Sequence, residues 1–121
     1  MNQLGLLFLN KALHARAEPL MRRAIDIFKA SLGNDHSFVA TALNNLAALL
    51  QATNRQGEAE PLYRRALVIL LAFQHNTGHA HPHRDTAIGN YGGLLAAMGR
   101  SQPEIAVALA TVFREAGLDQ A

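Results

Sequence analysis

The sequence predicts an all-α fold, a solenoid of six helices stacked in about three repeats. An eight-residue motif occurs twice, as A-E-P-L-M-R-R-A at residues 17–24 and as A-E-P-L-Y-R-R-A at residues 59–66, which gives a period of 42 residues (59 − 17). Half of the residues are hydrophobic but only 6% are aromatic, and the dominant Ala and Leu are strong helix formers. Self-similarity at such a period is typical of repeat architectures.

The first repeat is predicted to contain two helices. At the 42-residue offset, N-Q-L-G-L-L-F at residues 2–8 aligns with N-N-L-A-A-L-L of the second repeat, so we expect the chain to open inside the first helix of a repeat. The second helix is predicted over about residues 15–31. It should begin just before Pro19, because proline is tolerated in the first turn of a helix, and end at Gly33. The chain is thereby interpreted as one domain, residues 1–121, with repeats at about 1–35, 36–79 and 80–121.

The second repeat predicts a third helix over about residues 38–53 and a fourth over about 58–74. Asn54 and Gly57 mark the turn between them. In both repeats a Glu precedes an Arg by four residues, a spacing at which opposite charges attract on a helix surface. These pairs are Glu18 with Arg22 and Glu60 with Arg64.

The fourth helix is more apolar than the second. Val68 and Leu71 stand where the second helix has Asp26 and Lys29. A helix that is apolar nearly all round is usually covered on both sides, either by the loop that follows it or by another chain. We favour the loop, because exposed apolar residues need not mark an interface.

The third repeat departs from the other two. T-A-I-G-N-Y-G-G-L-L at residues 86–95 aligns with T-A-L-N-N-L-A-A-L-L of the second repeat at an offset of 45 (86 − 41), so three residues are inserted before it. Gly89, Gly92 and Gly93 should each weaken its first helix by roughly 1 kcal/mol relative to Ala. The sixth helix, about residues 102–116, lacks the repeated motif and is interpreted as a C-terminal cap.

Composition excludes several classes of function. The net charge is only +2 and the basic residues do not cluster on one face, so we expect no nucleic-acid binding. The chain has no Cys, which removes disulfides and thiolate metal sites. The longest apolar run, residues 66–73, is far shorter than a membrane span, and no basic residue precedes the apolar residues 1–9 as in a signal peptide. We expect a cytoplasmic protein without a membrane partner.

The spacing of the repeated residues resembles that of the tetratricopeptide repeat, in which a large residue, Leu, Gly, Tyr, Gly, Ala, Phe and Ala recur. The corresponding residues in the second repeat are Leu43, Leu46, Ala47, Leu50, Asn54, Ala59, Tyr63 and Ala66. The 42-residue period, together with G-N-D-H-S at residues 33–37, is similar to the repeats of kinesin light chain and its bacterial relatives. Ala12 and Asn54 stand where a turn Gly is usual, and Glu104 stands where a small Ala is usual.

The resemblance implies a right-handed superhelix that binds a protein or peptide on its concave face, which is lined by the first helix of each repeat. Gln3, Asn45 and Asn90 would form a column of carboxamides, which can both donate and accept hydrogen bonds. The alternative is that Asn45 and Asn90 bond to neighbouring helix backbone and are structural. The candidate partner-binding residues are Gln3, Thr41, Asn44, Asn45, Gln51, Thr86 and Asn90.

A second hypothesis is a structural unit that self-associates into a homo-oligomer. It rests on the apolar first helix, which would face the place of an earlier repeat, and on the two apolar positions of the fourth helix. The candidate oligomer contacts are Leu4, Leu7, Phe8, Leu9, Val68 and Leu71.

Four histidines fall within nine residues, at His75, His79, His81 and His83. Imidazoles at such spacings could bind zinc, nickel or copper. The favoured interpretation is structural, because His81 aligns with His36 of the linker between the first two repeats and the others lie in a solvated loop. No nucleophile motif, phosphate loop or carboxylate pair accompanies them. We therefore expect no cofactor, no metal and no catalysis.

Overall fold

The computed structural model describes residues 3–118, and for residues 3–11 it describes the backbone alone. The described part of the chain is all-α, without a β-strand, which confirms the predicted fold class. Its five helices are α1 (Gln3–Leu32), α2 (Ser37–Ala52), α3 (Gln56–Thr77), α4 (Arg84–Ala97) and α5 (Gln102–Glu115).

The helices stack along the chain. Helix α2 packs against α1 and α3, and α3 also packs against α4 and α5. One continuous core runs through all five helices, and α2, α3 and α4 supply most of it because their apolar residues recur at three- and four-residue spacings. The largest fully buried side chains are Leu46, Leu50, Leu67, Leu70, Leu71, Leu94, Leu95, Val39 and Val112.

The prediction of a turn inside the first repeat, and hence of six helices, is wrong. Helix α1 runs without a break for 30 residues through the position where the other repeats turn. In the second repeat that position is Asn54, at φ 64°, and in the third it is Gly99, at φ 89°. Both angles belong to the left-handed region, which Gly and Asn tolerate best.

The two turns that do form share one hydrogen-bond pattern. The Arg55 N–H donates to the Leu50 carbonyl at 2.7 Å, and the Arg100 N–H donates to the Leu95 carbonyl at 3.0 Å. Such bonds close a Schellman motif, which requires a left-handed residue just before the donor. The first repeat has Ala12 at that position, and Ala favours helix and disfavours the left-handed region. The helix therefore continues.

Both motif prolines lie inside helices rather than in a first turn. Pro19 is in the middle of α1, and Pro61 is the sixth residue of α3. Each removes the N–H that would bond to the carbonyl four residues earlier, at Ala15 and Gly57. All four residues are exposed, so water can bond to those carbonyls. The expectation that a helix must begin just before Pro19 is therefore wrong.

The start of helix α5 explains why Glu104 stands where the tetratricopeptide pattern usually has a small Ala. The side chain of Ser101 accepts from the Glu104 N–H, and the Glu104 carboxylate accepts from the Ser101 N–H at 2.9 Å. This capping box satisfies two N–H groups at the start of the helix, and the Ser101 N–H bond holds the pKa of Glu104 below its usual range. A small residue there would leave the helix without its cap.

The apolar positions of α3 are covered within the chain. Leu71 is fully buried and Val68 is half-buried, in a helix that packs against α2, α4 and α5. The assignment of Leu71 as an oligomer contact is therefore wrong, because no surface of it remains for a second chain. For Val68 an intermolecular contact stays a prediction.

Candidate protein-binding groove

An open groove runs between the second half of α1 and the first half of α2. It has a volume of about 480 Å³, within the range of pockets that hold ligands. Helix α1 contributes three apolar residues, α2 contributes apolar and polar residues, and one further lining residue lies just before α4. The lining residues of this α1–α2 groove are Met21, Ala24, Phe28, Phe38, Thr41, Ala42, Asn45 and His83.

The floor of the groove is made of residues that are buried one repeat later. Met21, Ala24 and Phe28 are half-buried and open to the groove. At the 42-residue offset their equivalents on α3 are Tyr63, Ala66 and Leu70, which are 3%, 0% and 1% exposed. The floor of the α1–α2 groove is therefore a surface that is buried in the second repeat and that no helix within residues 3–118 covers in the first.

The ring of Phe38 extends this apolar surface beside Phe28. Phe38, in the first turn of α2, is 56% exposed, and its ring centroid lies 5.9 Å from that of Phe28. An exposed aromatic beside a half-buried one adds to a contiguous apolar patch, and such patches mark interaction sites in proteins.

The predicted polar residues fall into two groups. Thr41 and Asn45 are exposed and line the α1–α2 groove. Thr86 is exposed and Asn90 half-buried on α4. Within residues 12–118, the side chains of Asn45 and Asn90 form no hydrogen bond, so the structure gives no support to the alternative that they anchor neighbouring backbone. The side chain of Gln3 lies outside the described residues.

Gln51 and Asn44 are less available than the sequence predicted. The half-buried Gln51 accepts a hydrogen bond from the Tyr63 hydroxyl at 3.2 Å, and burial raises the pKa of Tyr63. The Asn44 Oδ1 is buried and has no hydrogen-bond partner among the described residues. Neither residue lines the α1–α2 groove.

A small network of ion pairs connects α1 with the next repeat. Arg55, at the turn between α2 and α3, bonds to Glu58 at 2.9 Å and also to Glu18 on α1. The hydrogen bond from Arg55 holds the pKa of Glu18 below its usual range, and the same donor lowers the pKa of Glu58. Arg22 bonds to Glu18 at 3.1 Å as predicted. Of these bonds, the one between Arg55 and Glu18 joins α1 to the next repeat.

The second predicted pair does not form. Arg64 bonds to Glu115 at the end of α5 rather than to Glu60. Arg65 of the same motif reaches Asp35 in the turn between α1 and α2, at 2.5 Å. Arg64 bonds to Glu115 instead of the residue four positions away because the stacking of the helices brings the end of α5 within reach of its long side chain.

His36 and His81 form equivalent hydrogen bonds in the connections that precede α2 and α4. The His36 Nδ1 accepts from the Phe38 N–H at 3.0 Å and caps α2. The His81 Nδ1 accepts from the His83 N–H at 3.1 Å in the same way, which supports the alignment of His81 with His36. His81 also packs edge-on against Phe73, with ring centroids 5.0 Å apart, and its burial lowers its pKa.

The other histidines of the cluster are separated. His75 lies in the last turn of α3 rather than in a loop and packs against Gly117 after α5. His79 is exposed in the connection that follows. Among the residues that the structure describes, no group of three His, Asp or Glu side chains is placed to hold a metal ion.

No helix in the described part of the chain is long and apolar enough to cross a membrane. A family model described as Tetratricopeptide repeat matches residues 1–72, which include the eight-residue motif in both copies. No curated protein matches the chain.

Proposed function

Because this chain belongs to the tetratricopeptide repeat family, whose repeats generally mediate protein–protein interaction, we propose that it is a non-catalytic module that binds a partner helix in the α1–α2 groove. The groove itself carries this proposal. It offers an apolar floor where the repeat normally buries a helix, and an exposed polar rim beside it.

The chemistry of the groove selects the kind of partner. An amphipathic helix would place its apolar side chains against Met21, Ala24 and Phe28, and helix-in-groove recognition works through such anchors. Asn45 and Thr41 would meet polar groups at the edge of that helix. The Thr41 hydroxyl already donates to the Ser37 carbonyl at 3.2 Å, so it would act as an acceptor.

The concave face would extend the site toward α4. Asn90 and Thr86 occupy the positions of Asn45 and Thr41 at the 45-residue offset, so the same polar groups repeat along the stack. Carboxamides at a regular spacing suit the backbone of a bound segment and demand no one sequence. The division into repeats at about residues 1–35, 36–79 and 80–121, the right-handed twist and the kinesin light chain-like subtype are part of this proposal.

The test uses peptides selected on the wild-type chain from a displayed random library, followed by titration of each peptide. The groove variant carries Phe38→Ala and Asn45→Ala, both at exposed positions. The matched control carries Val107→Ala and Gln102→Ala, an exposed apolar residue and an exposed carboxamide of α5. We expect the dissociation constant to rise at least about tenfold in the groove variant and to stay within about twofold in the control.

Circular dichroism of both variants serves as the folding control. Peptides that bind the groove variant as tightly as the wild type would contradict the proposal. So would a control variant that loses binding to the same extent, because the site would then involve α5.

A further inference from the structure

The α1–α2 groove is uncovered because helix α1 is unbroken. In the second repeat the chain turns at Asn54, and α2 and α3 pack together. In the first repeat the chain does not turn, so the segment before Ala12 continues along the axis of α1. This segment aligns with α2, and in a continuous α1 it cannot fold back into the α1–α2 groove.

The sequence of residues 3–9 fits the groove by internal alignment. Its residues correspond to residues 45–51 of α2 at the 42-residue offset, with Leu4 at the position of Leu46 and Phe8 at the position of Leu50. Leu46 and Leu50 are 1% and 0% exposed and belong to one core with the α3 equivalents of the groove floor. By this alignment we expect Leu4 and Phe8 to be the side chains that cover this floor.

The segment cannot reach the groove of its own chain while α1 stays helical. Leu9 precedes Met21 by 12 residues (21 − 9), which places them roughly 18 Å apart along a helix axis. Their equivalents, Gln51 and Tyr63, are in hydrogen-bond contact. A continuous α1 can make the corresponding contact only with another molecule.

We propose that residues 3–9 of a second copy of this chain occupy the α1–α2 groove, and that the two copies exchange these segments reciprocally. The inference rests on the proposed function, since it names the helix that the groove accepts. In the exchanged dimer Leu4 and Phe8 cover the floor made by Met21, Ala24 and Phe28. Gln3 then falls at the position equivalent to Asn45 and adds a carboxamide to the rim. Ala12 controls the exchange, because it keeps α1 straight.

The first test measures the dimer dissociation constant by sedimentation equilibrium. Ala12→Gly restores the residue type found at Gly99, so the chain can turn and fill its own groove. We expect a wild-type dimer and an increase of at least about tenfold in its dissociation constant for Ala12→Gly, because Gly favours the left-handed turn and weakens the helix. The control is Ala15→Gly, which weakens the helix equally at a position where α3 has the helical Gly57. It should retain most of the dimer.

The second test shows which molecule supplies the segment. The chain has no Cys, so Leu9→Cys with Met21→Cys introduces a defined pair of thiols. A thiol crosslinker shorter than the roughly 18 Å between these positions on one helix should join two chains covalently. Leu9→Cys with Arg23→Cys, which moves the second thiol out of the groove, should give much less product.

Each outcome decides between the possibilities. A crosslink within one chain would overturn the exchange, because the segment would then fold back on its own groove. A wild-type monomer at all concentrations without any crosslink would also overturn it. Should selected peptides still bind the groove of such a monomer, only the exchange fails. Should no peptide depend on Phe38 and Asn45 either, the proposed function fails too.

Discussion

The first and second repeats carry nearly the same motif in opposite environments. Seven of its eight residues are identical, with Met21 in place of Tyr63. Yet Tyr63 is buried under α2, whereas Met21 lines an open groove. The motif thus specifies a surface that a helix can cover, and whether it is covered depends on a residue outside it, at Ala12 or Asn54.

This difference separates two properties of a repeat protein. The pattern of apolar residues sets which faces can pack, since it defines the stripe on each helix. The turn residue sets whether the two stripes of one repeat can meet within the chain, since only a left-handed residue reverses the direction there. A repeat that has the apolar pattern but lacks the left-handed turn residue leaves an uncovered groove.

The largest expected effect comes from truncating equivalent apolar residues in the two repeats. Leu70→Ala should reduce the free energy of unfolding by about 2–5 kcal/mol, because it opens a cavity in a packed core. Phe28→Ala, at the equivalent position in the groove, should cost less than half as much in the monomer, because Phe28 is already open to solvent. Urea denaturation at low protein concentration measures both values. Equal losses would mean that Phe28 is as well covered as Leu70.

The turn of the second repeat should be sensitive to the residue that the first repeat carries. Asn54→Ala places Ala in the left-handed region at φ 64° and should cost about 1–2 kcal/mol. Asn54→Gly should be close to neutral, since Gly adopts this angle freely. Thermal or urea unfolding of the two variants gives the comparison. If Asn54→Ala unfolds like the wild type, the turn residue does not control chain reversal.

The glycines of α4 offer a smaller effect of opposite sign. Gly89 and Gly93 are helical, and a Cβ added to either would meet no atom within 4 Å. Gly89→Ala and Gly93→Ala should each stabilise the protein by about 0.5–1 kcal/mol through helix propensity. A matched control is Gly99→Ala, at φ 89°, which should destabilise. Stabilisation by all three substitutions would argue against the assigned turn.

The smallest effect concerns the ion pairs between the repeats. Arg55→Gln should raise the pKa of Glu18 toward its ordinary value of 4.5, and an NMR titration of the Glu18 side chain measures it. Because the folded pKa is lowered, this carboxylate contributes stability above about pH 4.5 and loses it as the pH falls through the folded pKa. The wild type and the variant should therefore differ in stability at neutral pH and converge in acid. An unchanged Glu18 pKa would show that Arg55 does not bind it in solution.

The repeat pattern determined most of the fold by itself. The all-α class, the turns at Gly33, Asn54 and Gly99, and the linker role of His81 all follow from local preferences, because each depends on a few neighbouring residues. The exposure of Asn45 on α2 also follows from helical periodicity. These features needed no knowledge of distant contacts.

Only the tertiary structure decided which surfaces are covered and which charges meet. Arg64 bonds to Glu115, 51 residues away, and Leu71 is fully buried in a helix that packs against α2, α4 and α5. Helix α1 continues through Ala12 because the helix propensity of Ala there outweighs the free energy that the preceding segment would gain by packing into the groove of its own chain. The outcome at such positions depends on contacts between residues that are distant in the sequence, and these residues come together only in the folded chain.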